Sequence, residues 1–211
     1  STQGYSSAAS DVYKRQILFN AIVMNDGILP DKPIITYFDF SNGHKNFASY
    51  DILNELAACY PQQIRVFGKS TVMFGLEQME KEIEEGIHER HFVIFAGLNR
   101  AKKILSHSTT YEKSPRERLI QMVEAGPEKG VNFIIWANEP ESFLEFYPEM
   151  LDWFDYRIGY ELQDDALKKM FLNVNMEFGD DNTAISYSAD ADNMKIRIYD
   201  CLLYTSDAAD E

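Results

Sequence analysis

The sequence contains few cysteines and no long apolar run. Only Cys59 and Cys201 are present, too few for a disulfide framework, which favours a reduced, cytoplasmic setting. The longest clear apolar segment is FVIFAGL at 92–98, far short of the ~20 residues that a membrane-spanning helix needs. The sequence therefore predicts no direct membrane contact for this segment of the protein.

Basic residues are also scarce. The chain has 20 Lys and Arg against 34 Asp and Glu, which gives a formal net charge of -14 at pH 7. Binding of DNA over a broad face depends on Lys and Arg that neutralise phosphates, so this charge disfavours such a surface. Any DNA contact would have to come from a small loop. The 45% of hydrophobic residues among 211 suits one globular domain with a sizeable core.

Both ends of the chain have an unusual composition. Residues 1–16, STQGYSSAASDVYKRQ, and 201–211, CLLYTSDAADE, are rich in small residues. They resemble peptides that arise when sequencing-adapter DNA is translated at the edges of assembled environmental reads. We therefore expect the authentic domain to span residues 17–200 and the two ends to be artefactual tails, which are left out of the fold prediction.

Residues 114–143 predict a capped helix, a glycine turn and a buried strand. Ser114 followed by Pro115 and Glu117 is typical of a helix start, with a hydroxyl cap, a first-turn proline and a glutamate at the third position. Gly126 and Gly130 then end the helix and turn the chain. The run VNFIIW at 131–136 is typical of a strand that is covered on both faces.

The rest of the chain continues this alternation. Further strands are predicted at 33–40, 64–67, 92–96 and 156–162, and further helices at 17–25, 50–59 and 76–88. The pattern predicts an α/β fold with a mostly parallel sheet and helices on both faces. Residues 183–187 and 194–198 alternate apolar and polar side chains around an Asp/Asn-rich turn, which predicts a closing antiparallel β-hairpin.

Three segments also resemble a known family. EAGPEKGVNFIIWANEPESF at 124–143 is similar to the part of FtsK/SpoIIIE-type P-loop motor ATPases in which a helix leads into the strand with a polar sensor residue. DWFDYRIGYELQDDALKKMF at 152–171 and TAISYSADADNMKIRIYD at 183–200 resemble later parts of the same family, in the same order. The likeness extends over about 34–200 and is specific after Leu119.

The resemblance implies a RecA-like P-loop NTPase fold that is incomplete at its N-terminus. It further implies ATP and Mg²⁺ as ligands of an intact domain, a homo-oligomeric ring that is a hexamer, and DNA or a secreted protein as the substrate that is moved. A cytoplasmic location follows, with any membrane anchor of the parent protein in missing regions.

The resemblance also assigns site positions. Asn138 lies where the family has its sensor glutamine. Arg157 matches a family arginine, which implies an inter-subunit role as the alternative to a structural one. Ala96 and Gly97 occupy the Walker B position, where the family has Asp-Glu. Because neither can organise Mg²⁺ or activate water, we expect weak or absent hydrolysis.

Two of these assignments have structural alternatives. Asn138 precedes Glu139 and Pro140, so it also suits a turn before a helix that starts with proline. A strand arginine such as Arg157 is more often held in an ion pair, and the nearby acidic residues are Asp152, Asp155 and Glu161.

The tetrapeptide Gly68-Lys69-Ser70-Thr71 looks like the end of a phosphate loop. The full motif requires a glycine at position 63, which is Gln63 here, so a turn after a strand is the preferred interpretation. Any true Walker A loop is expected upstream of this fragment.

No other motif predicts a metal site. Asp190 and Asp192 hint at a calcium loop, but Lys195 stands where the loop needs glycine, so this stretch predicts a hairpin turn. His88 and His91 lack further ligands nearby in sequence and are predicted as surface histidines.

Two functions from different classes remain as hypotheses. The first is a FtsK/SpoIIIE-like motor domain for DNA translocation or type VII-like secretion, with weak or no hydrolysis. The second is a catalytically inactive module that builds or regulates such a ring. An unrelated doubly wound small-molecule enzyme is less favoured because the chain has no G-x-G-x-x-G fingerprint.

Overall fold

In the computed structural model, the chain forms two compact units that divide after Met150. The residues that it describes are 34–40, 54–55, 57–68, 70–86, 90–101, 105, 113–137, 140–160, 162, 164–171 and 183–197. The predicted helix at 17–25 and both predicted tails lie outside these residues. Among the described helices, none combines the length and the apolar character needed to cross a membrane.

The first unit contains a four-stranded parallel sheet. Its strands are β1 Ile34–Asp39, β2 Ile64–Phe67, β3 His91–Ala96 and β4 Val131–Trp136. Their order across the sheet is β2-β1-β3-β4, so the chain leaves β1 towards one side and continues with β3 on the other. The predicted α/β fold with a mostly parallel sheet is confirmed.

Both faces of the central strands are buried, as their apolar sequences predict. Ile35 and Tyr37 of β1 pack with Ile94 on one face. On the other face, the ring of Phe95 lies 5.2 Å from that of Phe38. The sheet therefore separates two apolar layers, and its middle strands contribute to both.

Helix α1, Val72–Glu85, follows β2. The helix overlaps the predicted range of 76–88, but it starts before position 76 and ends before position 88. The start differs because a turn determines it and not the apolar spacing. The N–H of Val72 donates to the carbonyl of Gly68 at 2.8 Å. At the other end, Gly86 has φ 90°, a left-handed conformation that ends the helix.

Helix α2, Pro115–Ala125, has the predicted capping box. The N–H of Glu117 donates to Ser114 Oγ at 3.3 Å, and the N–H of Ser114 donates to the Glu117 carboxylate at 2.8 Å. A short 3-10 helix, Pro127–Lys129, and Gly130 with φ 85° then turn the chain into β4. Local sequence signals therefore account for this whole αβ segment. Helix α3, Pro140–Phe146, follows β4.

A buried polar network lies where β3 begins. His91 Nε2 is 2.8 Å from Thr36 Oγ1 and 3.2 Å from an Arg65 guanidinium nitrogen. Arg65 also donates two hydrogen bonds to the Glu82 carboxylate, at 2.6 and 2.8 Å. The prediction of a surface histidine at position 91 is wrong, because this network satisfies the ring and allows it to be buried with only 2% exposure. His88 lies outside the described residues.

The second unit contains a three-stranded antiparallel sheet, in the order β5-β6-β7. Its elements are β5 Tyr156–Tyr160, helix α4 Asp164–Met170, β6 Thr183–Ser188 and β7 Ala191–Arg197. The predicted closing hairpin is confirmed. The prediction that 156–162 adds a strand to the parallel sheet is wrong, because β5 pairs antiparallel with β6. The local pattern of a strand does not specify its partner.

Candidate functional site

The carboxyl edge of the parallel sheet is the candidate site of the first unit. Strands β1 and β3 are neighbours at the point where the strand order reverses, and open α/β sheets bind ligands in the crevice at such a point. We refer to Asp39, Ala96, Gly97 and Asn99 as the β1/β3 edge. Asp39 ends β1, and the other three residues end β3 or follow it directly.

The position that resembles Walker B has no carboxylate of its own. Ala96 is the last residue of β3 and is fully buried. Gly97 follows with φ 72°, a left-handed conformation that glycine adopts without strain. Its N–H donates to the carbonyl of Trp136 at 2.8 Å, which extends the pairing of β3 with β4. The backbone here is paired with β4, and the side chains of Ala96 and Gly97 cannot ligate a metal.

A carboxylate nevertheless lies beside this position, on the neighbouring strand. Asp39 is the register partner of Ala96, and the N–H of Phe40 donates to the carbonyl of Ala96 at 2.9 Å. Asp39 is only 5% exposed. The sequence analysis missed this residue. The sequence feature that could have identified it is an Asp at the end of a β-branched and aromatic strand, where parallel sheets bind ligands.

Asn99 is the second residue that the sequence analysis missed. It lies in the 3-10 helix Leu98–Arg100 directly after β3, and its side-chain Oδ1 and Nδ2 are both buried without a hydrogen-bond partner. Helix α3, Pro140–Phe146, packs against this 3-10 helix. An unpaired buried amide is costly, so Asn99 differs from the satisfied polar network at the start of β3.

Asn138, the predicted sensor residue, lies outside the described residues. The strand that leads to it is described as far as Trp136, and Ala137 follows. The sensor role and the turn-forming role of Asn138 both stay predictions.

Arg157 belongs to the second unit and is held by main-chain carbonyls. Its guanidinium donates to the carbonyls of Leu151 at 2.9 Å, Phe154 at 3.2 Å and Met170 at 2.8 Å. It also stacks over the ring of Tyr187, 4.5 Å from the centroid. The expected partners Asp152 and Asp155 are not among these contacts, and Glu161 lies outside the described residues. Arg157 joins α4 to the segment before β5, which is a structural role.

We expect Arg157→Ala to lower the free energy of unfolding by about 2 kcal/mol, because three partly buried carbonyls lose a charged donor. Arg157→Lys should recover less than half of this loss, since an ammonium cannot reproduce the planar fork. Urea denaturation followed by circular dichroism measures both effects. Unchanged stability in Arg157→Ala would contradict the structural role and would favour the inter-subunit role implied by the family resemblance.

The Gly68 to Thr71 segment forms a tight turn, as predicted. The N–H of Gly68 donates to Thr71 Oγ1 at 3.1 Å, and the N–H of Thr71 donates to the carbonyl of Gly68 at 2.9 Å. Strand β2 ends at Phe67 and α1 begins at Val72. Only four residues therefore connect them, too few for a phosphate loop of the P-loop type.

The Asp/Asn-rich stretch of the chain lies at the turn of the closing hairpin, as predicted. In the part of the chain that the structure describes, no group of three or more His, Cys, Asp or Glu is arranged to hold a metal ion. Asp190 is in the turn between β6 and β7, and Asp192 is exposed at the start of β7. The calcium-loop interpretation is therefore not supported for these described residues.

Comparison with models of protein families, with curated proteins and with solved structures finds no match to this chain. The FtsK/SpoIIIE resemblance therefore stays an expectation from the sequence.

Proposed function

We propose that this chain is part of a FtsK/SpoIIIE-like, RecA-type nucleotide-binding motor domain that hydrolyses ATP weakly or not at all. The observation that carries the proposal is the pairing of β3 with β4. Their parallel register runs from His91 with Val131 to Ala96 with Trp136, and the Gly97 to Trp136 hydrogen bond continues it. This arrangement supports a common edge for the Walker B-like residues and the segment that leads to Asn138.

The side chains at this edge are the reason to expect weak or absent hydrolysis. Metal-assisted phosphoryl transfer needs carboxylates that hold Mg²⁺ and orient the attacking water. Ala96 and Gly97 offer neither, and Asp39 is a single buried carboxylate on the adjacent strand. The described residues at the edge therefore do not fit a magnesium site.

The partners that we propose for this chain come from the family resemblance alone. They are a homo-hexameric ring and a moved substrate, either DNA or a secreted protein. The net charge of -14 supports a role in which the domain does not hold DNA over a broad face.

A second candidate is an inactive module that builds or regulates such a ring. The same missing carboxylates favour it, because a subunit that does not turn over can still transmit contacts between active neighbours. The two candidates differ in whether nucleotide binds to this domain. Ring assembly without any nucleotide, measured by analytical ultracentrifugation, would favour the second candidate.

The experiment that tests the proposal is a titration of the full chain with a fluorescent ATP analogue. We expect binding that changes less than about threefold when Mg²⁺ is removed, because the described residues of this edge offer the metal only one carboxylate, Asp39. Asn138→Ala should weaken binding by about fivefold, the effect of one lost hydrogen bond of about 1 kcal/mol. Asn132→Ala, an exposed position on β4, is the matched control and should bind like the wild type.

Two results would count against the proposal. Absence of binding at millimolar analogue would leave only the inactive ring module. Rapid Mg²⁺-dependent phosphate release would show that the hydrolytic machinery is intact and would contradict the argument from Ala96 and Gly97.

A further inference from the structure

The outer edge of β5 is an exposed surface of the second unit. Strand β5 pairs with β6, and no other described strand pairs with it. Tyr156 and Ile158 of this strand have 74% and 48% of their surface exposed. We refer to the main chain and side chains of Tyr156 and Ile158 as the β5 edge. Large apolar side chains on a free edge strand favour pairing with another chain.

The hydrogen-bond pattern directs the main chain of both residues away from β6. The N–H of Ala189 donates to the carbonyl of Asp155 at 2.9 Å, directly beside the register pair of Tyr156 with Ser188. In an antiparallel pair, hydrogen-bonded positions alternate with positions whose N–H and C=O groups point away from the partner strand. Tyr156 and Ile158 therefore belong to the second kind, and an added strand would bond to their main-chain groups.

The side chains of the β5 edge lie on the face of the sheet opposite Phe171. Phe171 packs with Ile185, and a Cβ at Gly159 would lie 2.9 Å from its ring. Because side chains alternate along a strand, Tyr156 and Ile158 belong to the other face. An antiparallel strand added at this edge would place every second side chain beside them.

The opposite edge of the same sheet is protected against pairing. The pairing of β7 with β6 has a register shift, and β7 exposes Asp192 and Lys195. Bulges and charges are the means by which edge strands avoid other chains. Strand β5 pairs in an unbroken register, and its one charged residue, Arg157, donates to three main-chain carbonyls. The β5 edge is therefore the side of this sheet that is open to a further strand.

The charge around β5 indicates which kind of chain fits there. Asp152 and Asp155 precede the strand and are exposed, and Glu161, Asp164 and Asp165 follow it in the sequence. Two antiparallel copies of β5 would bring the acidic residues before one strand against those after the other, which disfavours a second copy. Two exposed apolar side chains also offer far less than the ~800 Å² per partner that a stable protein–protein interface buries. A short extended segment with basic ends fits both the size and the charge.

We infer that the β5 edge binds an extended, basic segment of a partner protein, which adds to the sheet as an antiparallel strand. The residues of this segment that bond to Tyr156 and Ile158 are apolar, and its ends carry Lys or Arg. The inference goes beyond the proposed function and uses no residue of the β1/β3 edge.

The test is fluorescence anisotropy of a labelled peptide, titrated with the full chain at low ionic strength. The probe has three valines that alternate with two threonines, and two lysines at each end. We expect the same peptide with glutamate in place of lysine to bind about tenfold more weakly, because its ends would then repel the acidic flanks of β5.

Methylation of the peptide's own amides tests the strand pairing. In the antiparallel arrangement the valines bond to the β5 edge, and the threonine amides point away from it. N-methylation of the valines should weaken binding by about tenfold or more, whereas N-methylation of the threonines should change it by less than about threefold.

Ile158→Pro tests the same pairing from the side of the protein. The proline removes an N–H that points away from β6, so the hydrogen bonds between β5 and β6 remain, and the probe should bind about tenfold more weakly. Met194→Thr is the matched control, since Met194 is 55% exposed on the same sheet but lies on β7, and it should bind the probe like the wild type. If circular dichroism shows that the proline disturbs the fold, the two methylated peptides decide the question on the wild-type chain.

Four outcomes would overturn the inference. Lack of binding at millimolar lysine peptide is the first, and equal binding of the lysine and glutamate peptides is the second. Equal binding of the two methylated peptides would exclude strand addition at β5. Sedimentation of the free chain as a dimer that Ile158→Pro dissociates would assign the β5 edge to a second copy of the chain.

Discussion

Replacing Phe95 by Ala is expected to lower the free energy of unfolding by about 3–5 kcal/mol, the range for removal of a buried Phe from a packed core. Phe95 is fully buried on β3, the strand with a neighbour on each side. Its ring lies 5.2 Å from Phe38, 6.0 Å from Phe40 and 5.9 Å from Phe133, measured between centroids. These three rings cannot all move to fill the cavity that the substitution leaves. Rearrangement of the core will therefore recover little of the lost stability.

The measurement is chemical denaturation of the full chain, monitored by circular dichroism. Phe74→Ala is the matched control, because Phe74 is on α1 with 65% of its surface exposed and its truncation should change the free energy of unfolding by less than about 0.5 kcal/mol. Equal losses in the two variants would show that Phe95 is not part of a packed core.

Lowering the pH from 7 to 4 is expected to remove about 3 kcal/mol of stability through His91 alone. Burial, with the adjacent Arg65 cation as the second cause, lowers the pKa of His91 from 6.5 to about 4. Between these two pH values the unfolded chain takes up a proton at His91 that the folded chain does not. The stabilisation is therefore present above pH 6.5 and is lost as the pH falls towards 4.

The geometry of the network explains why the folded protein disfavours the proton. Arginine can only donate hydrogen bonds, so His91 Nε2 must accept from Arg65, which assigns the ring proton to Nδ1 in the neutral form. Protonation of Nε2 would replace this hydrogen bond by contact between two cations. The same arginine holds the pKa of Glu82 below its usual range, which keeps that carboxylate ionised beside it.

His91→Gln tests this expectation, because its amide can accept from Arg65 but does not titrate. Denaturation at pH 8 gives the packing cost of the substitution, since the histidine is neutral in both states there. We then expect the wild type to lose about 3 kcal/mol more than the variant between pH 7 and pH 4. Parallel pH curves for the two proteins would contradict the neutral, buried state of His91.

The two ends of the parallel sheet thus have different roles. At the amino end, Thr36, Arg65, Glu82 and His91 form a satisfied network that stabilises the unit. At the carboxyl end, Asn99 is buried without partners. An unpaired buried amide lowers the stability of the fold, and this one lies at the end where α/β sheets bind ligands. Substitutions in the network at the amino end should therefore change stability.

Much of the local structure was predictable from the sequence. The capped helix at Ser114, the turn at Gly126 to Gly130 and the buried strand at 131–136 were all predicted where they occur. Each rests on signals that act within a few residues, such as a hydroxyl cap or a glycine with positive φ.

The sequence by itself determined the α/β class, the capped helix and the closing hairpin, because residue type and short-range spacing decide these features. Only the tertiary structure decided that Asp39 lies opposite Ala96, that β5 pairs with β6, and that His91 is buried against Thr36, 55 positions away. Strand order and register bring such residues together. They depend on the packing of the whole unit, which no local pattern encodes.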